Sequence, residues 1–121
     1  MGTTKILKVG IMSSDKFQQR VLDIAAGRYT PTVNEPKIWF NSLKSLAEIL
    51  NEKNTRLLEL IDKMKPISIT ELAELSGRKT SNLSRTLKTF ERYGIVELKK
   101  ESKLVRPIVT AKKFHIEYGC A

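Results

Sequence analysis

Cysteine and histidine are almost absent from these 121 residues, Cys120 and His115 being the single examples. One cysteine forms no internal disulfide, so nothing covalent frames the fold and a reducing compartment suits it. One Cys and one His fall short of a zinc site, and a hydrolytic triad would have to recruit His115 with no nucleophile motif near it. Both read as ordinary residues of a terminal strand. There is no phosphate-cradling glycine loop, metal-ligand cluster or nucleophile–base pair, so the expectation is no enzyme, no cofactor and no metal. Long apolar runs are missing too. None approaches the roughly 20 residues that cross a bilayer, and Met1-Gly2-Thr3-Thr4-Lys5 lacks the basic-then-apolar layout of a secretory signal. The expected location is cytoplasmic, with no membrane partner.

Acidic side chains are scarce against basic ones: 13 Asp and Glu face 22 Lys and Arg, a formal net charge of +9. Such an excess points to a polyanionic partner. It is also focused, since residues 76–106 hold nine basic and three acidic side chains. With 40% hydrophobic residues the chain has enough apolar material for one packed core.

Lys5 to Met12 alternates with period two, which predicts a strand. Ser13-Ser14-Asp15 offers a helix cap, and Phe17, Val21, Ile24 and Ala25 recur at helical spacing until Gly27. Pro31 and Pro36 mark an extended connector, and Ile38-Trp39-Phe40 is a short β-favouring run. If that run pairs parallel to the first strand, residues 1–40 form a β-α-β unit. Trp39, Phe40 and Tyr29 are expected in the core, the alternative being a contact patch for a protein partner.

From Ser42 the period turns helical. Leu43, Leu46, Ala47 and Leu50 form one stripe; after a break at 51–54, Leu57, Leu60, Ile61 and Met64 form another, ended by Pro66. Ser68-Ile69-Thr70-Glu71 is a capping box opening a short helix that Gly77 closes. Thr80 to Tyr93 is a longer helix with Leu83, Leu87 and Phe90 on its apolar side, closed by Gly94. Ile95, Val96 and Leu98 then read as a strand, Lys99 to Lys103 as a polar tip and Leu104 to Val109 as the return strand. Pro107 suggests a ladder edge or a nearby bulge, and Phe114, Ile116 and Tyr118 alternate in a last strand.

The order of helix, short helix, glycine turn, long helix and charged hairpin predicts an α+β fold: a winged helix-turn-helix over 41–121, with the 1–40 unit as an N-terminal extension. On helix 80–93, Ser81, Arg85, Lys88 and Arg92 share the face opposite the apolar stripe. Together with Arg78, Lys79, Thr80, Asn82 and Ser84 they are the candidate DNA-contacting residues of the helix and the turn before it. Arg85 has the planar fork that pairs with guanine, and Asn82 suits adenine. In the 95–109 hairpin, Lys100 and Lys103 are placed to touch the DNA backbone.

The stretch Ser68-Ile-Thr-Glu-Leu-Ala-Glu-Leu-Ser-Gly77, continued by Asn82-Leu-Ser-Arg-Thr-Leu-Lys-Thr-Phe-Glu-Arg-Tyr-Gly-Ile-Val96, resembles the helix-turn-helix of MarR-like and ArsR-like winged-helix regulators. Those families typically carry Ser-Arg-x-Leu in the recognition helix and Gly-Leu-Val or Gly-Ile-Val leading into the wing. More of the chain is similar to a small class of predicted winged-helix regulators, some antitoxin-like. These begin with a strand and helix, continue through a stretch like Trp39-Phe40-Asn41-Ser42-Leu43, and end on a strand like Phe114 to Tyr118. The resemblance implies a sequence-specific double-stranded-DNA-binding transcription regulator, a dimeric repressor. The MarR dimer of long terminal helices has no counterpart here, so a homodimer is expected to use the 1–40 unit. The competing expectation is a protein- or RNA-interaction module, for example an antitoxin-like partner-binding protein.

Overall fold

A computed structural model describes residues 5–119. The alternating opening run forms β1 (Ile6–Ile11) and leads into α1 (Ser14–Ala25), whose first turn is capped by the Ser13 hydroxyl accepting from the Lys16 amide. Gly27, at φ 77°, follows as the left-handed stop. Beyond the proline connector, β2 (Ile38–Phe40) runs parallel to β1, with Val9 opposite Ile38 and Ile11 opposite Phe40. The expected β-α-β unit is therefore formed.

α2 (Leu43–Ile49) starts at the Ser42 cap, and α3 (Glu52–Met64) at Asn51, whose side chain accepts from the Asn54 amide at 2.8 Å. The expected break at 51–54 is instead the pair Leu50 and Asn51, because Asn51 serves as the N-cap itself and residues 52–54 are already helical. α3 ends as Lys65 turns left-handed before Pro66. Ser68 caps α4 (Ile69–Ser76) by accepting from Glu71 N at 3.0 Å, while the reciprocal bond of a full capping box is not formed among the described residues. Gly77 then turns the chain into α5 (Thr80–Arg92).

β3 (Val96–Glu101) and β4 (Leu104–Val109) pair antiparallel in unbroken register from Val96 opposite Val109 to Glu101 opposite Leu104. The strand thus continues through Lys99, Lys100 and Glu101, and the tip is only Ser102 and Lys103. A two-stranded ribbon lets polar side chains stay in water while their backbone pairs, which is why polarity misplaced the turn. Pro107 sits in the ladder opposite Leu98, on a strand whose other edge has no strand beside it among the described residues.

β5 (Lys113–Glu117) pairs parallel with β1 on the side away from β2, Ile6 lying opposite Lys113 and Gly10 opposite Glu117. β1 is therefore the middle strand of a sheet ordered β2-β1-β5. Sequence periodicity gave β5 no neighbour, since parallel pairing to β1 joins opposite ends of the chain. Cys120 lies outside the described residues.

One apolar cluster joins this sheet to the helices: Leu7, Val9 and Phe40 pack with Leu46, Leu57, Ile61, Leu72, Leu83, Leu87, Phe90 and Ile95. Phe40 also stacks on Tyr93, just past α5, at 4.7 Å between ring centres. Elsewhere in the same unit, the Trp39 ring lies where a Cβ on Gly10 would be. The Arg20 guanidinium rests 5.1 Å from the centres of both the Trp39 and Tyr29 rings and bonds Glu35 at 2.9 Å. Of the three aromatics expected in the core, Phe40 is buried and Trp39 half-buried, whereas Tyr29 stays 37% exposed. Tyr29 flanks a cation instead of filling the interior. No described helix is long and apolar enough to cross a membrane.

Candidate nucleic-acid interface

Leu83, Leu87 and Phe90 of α5 are wholly buried, which fixes the rotation of the helix about its axis. The opposite side must then face outward. Ser81, Arg85, Lys88 and Arg92 are all exposed there, and Lys79, Thr80 and Asn82 are exposed around the first turn; Ser84 is half-buried. None of the charged side chains in this group takes part in an ion pair among the described residues. Inside α5 the Thr89 hydroxyl donates to the Arg85 carbonyl at 3.1 Å.

The start of α5 differs from that of the other helices. Ser13, Ser42, Asn51 and Ser68 cap α1 to α4 with side-chain oxygens, whereas Lys79 precedes α5 and no side chain caps it. Its first-turn amides therefore keep their donors free, with a lysine beside them and the positive end of the helix dipole behind. That combination attracts an anion such as a phosphate oxygen.

Arg78 has a different task from its neighbours. It is half-buried, and its guanidinium donates to the Lys53 carbonyl at 3.0 Å and to Asn54 Oδ1 at 3.4 Å. The α4–α5 turn is thereby pinned to the first turn of α3, a role that residue type and spacing did not reveal because its partners lie far upstream in the chain.

Lys100 on β3 and Lys103 in the hairpin turn are exposed, as is Lys99. Register partners share a face, and the pairs Val96–Val109 and Leu98–Pro107 turn toward the core. Lys100 continues that face beyond the core and Lys99 lies on the other, so the ribbon carries positive charge on both sides. Arg106, opposite Lys99, is held by Glu101 at 2.8 Å. Away from this surface, Asp23 on α1 has its carboxyl held below the ordinary value, first by a hydrogen bond from Gln19 and then by one from Arg28. Among the described residues no three of His, Cys, Asp and Glu gather as metal ligands.

The profile of the HVO_A0114 family matches residues 49–116, more than half of the chain, and the chain belongs to that family. The matched span runs from the end of α2 into β5 and includes every candidate DNA-contacting residue. No curated protein matches the chain.

Proposed function

We propose that this protein is a sequence-specific double-stranded-DNA-binding transcription regulator. In this reading α4 and α5 are a helix-turn-helix, α5 lies in the major groove, and the β3–β4 hairpin is a wing against the DNA backbone. The observation that carries it is the exposed stripe of Ser81, Arg85, Lys88 and Arg92 directly behind the buried Leu83, Leu87 and Phe90. Burial of the apolar side leaves that stripe outward and, among the described residues, without ion-pair partners, above an uncapped helix start that favours phosphate. The resemblance of residues 68–96 to MarR-like and ArsR-like regulators supports the same assignment. A single helix reads only a few base pairs, so the active species is a homodimer on two half-sites, and occupancy of its site excludes other proteins, which is repression.

A duplex selection with the purified chain, followed by a salt titration on the selected site, tests this. Log K should fall by about 0.9 per log unit of salt for each phosphate neutralised. Absence of duplex binding at low salt, or a flat salt response, refutes the proposal. A protein-interaction module is the second reading, favoured by α1, which buries none of its residues and exposes Phe17, Val21 and Leu22. The flat salt response belongs to it.

A further inference from the structure

The two outer edges of the β2-β1-β5 sheet are unequal. β2 offers three residues behind Pro36, which has no N–H to donate. β5 offers five, with β1 as its one neighbour among the described residues. Alternate residues of a strand turn both backbone groups to the same side, so every second N–H and C=O of β5 points away from β1. The side chains are accessible as well: Lys113, His115, Ile116 and Glu117 are exposed and Phe114 is half-buried.

Edges are commonly guarded by charge, lysine above all, and Lys113 alone would be such a guard. The strand instead reads Lys-Phe-His-Ile-Glu, which complements itself when reversed. Two copies related by a twofold axis at His115 pair antiparallel, since a twofold presents the same edge to itself in opposite directions. Lys113 of each copy then stands opposite Glu117 of the other, and Phe114 opposite Ile116. Two opposite-charge pairs form on one face and two aromatic–aliphatic pairs on the other, each a favourable cross-strand combination. Sliding the register by two residues sets Lys113 or Glu117 against His115 and leaves the other charge past the end. Phe114 and Ile116 lie opposite Leu7 and Val9, on the buried side of the sheet, so the pairing would extend an apolar face that already exists.

We propose that β5 is the seam of the homodimer, joining two sheets into one of six strands ordered β2-β1-β5-β5-β1-β2. The purpose of the seam rests on the dimeric DNA-binding reading above; its register does not. A five-residue strand pair covers less than the roughly 800 Å² per partner of a standard stable interface. The free dimer is therefore reversible, with a dissociation constant on the order of micromolar, and two adjacent half-sites reinforce it.

Sedimentation velocity of the full chain over a concentration series, without DNA, tests the seam. K113E and E117K each place like charges at both ends of the strand pair and should raise the dimer dissociation constant on the order of tenfold. An equal mixture of the two variants should recover association, because every introduced charge then meets its opposite across the seam. Binding of each variant to a single half-site duplex, unchanged from the unaltered chain, shows that the fold is intact. The seam is overturned if the unaltered chain is monomeric at every concentration reached, if the single variants dimerise as well as it does, or if mixing restores nothing. If the unaltered chain dimerises through this seam yet binds no half-site, the DNA reading falls and the seam stands.

Discussion

Arg85 and Arg78 carry the same guanidinium seven residues apart, in opposite surroundings. Arg85 is exposed on α5, so Arg85→Ala should leave the melting temperature unchanged while costing about 1–3 kcal/mol on the selected duplex and relaxing base preference. Lys103→Ala, at the hairpin turn, should weaken all duplexes about equally. Fluorescence anisotropy on selected and scrambled duplexes separates the two, and equal losses from both changes would remove Arg85 from base readout. A second residue-scale prediction concerns Gly10, where an added Cβ overlaps the Trp39 ring. Gly10→Ala should cost about 1–3 kcal/mol of stability in urea unfolding, in the range for overpacking a buried site. A midpoint equal to that of the unaltered chain would show that the Trp39 ring moves freely aside. The exposed place of Arg85 on α5 was legible in the sequence because its spacing from Ser81 and Arg92 needs only the helical period. Gly10 and Arg78 were not, because Trp39 and the Lys53 carbonyl reach them through tertiary structure alone.

Four of the five described helices begin on small polar caps, and α5 behind Lys79 does not. Lys79→Asp would supply the missing cap and stabilise the protein by about 1 kcal/mol. The same carboxylate would occupy the first-turn amides and repel phosphate, so duplex affinity should fall as the melting temperature rises. Thermal melts paired with anisotropy measure both; a rise in affinity, or a loss of stability, contradicts the anion-binding assignment of that helix start. Helix boundaries were legible from the spacing of Ser68 to Glu71 and from Gly77, since these signals act within one turn. The hairpin tip was not, because Lys99, Lys100 and Glu101 are polar residues in a ribbon that keeps them solvated.

At the scale of the whole molecule, the 1–40 extension is less separable than its sequence suggests, since β1 lies between β2 and β5 and sends Leu7 and Val9 into the common core. Deleting residues 1–36, which on sequence grounds would yield a folded monomer, should instead strip Phe40 and Phe114 of their neighbouring strand. The expected outcome is a broad, non-cooperative melt in circular dichroism; a sharp transition with the remaining helices intact would show that residues 37–121 fold alone. The sheet also governs the order of folding. β1 is made well before β5, and their pairing closes a loop of about a hundred residues, at an entropic cost of about 4 kcal/mol for a flexible chain. The helices and the β3–β4 ribbon rely on local contacts and can form sooner. A nascent chain should therefore present a formed α5 while β1 still lacks one neighbour, and acquisition of the sheet should be the slow step of refolding.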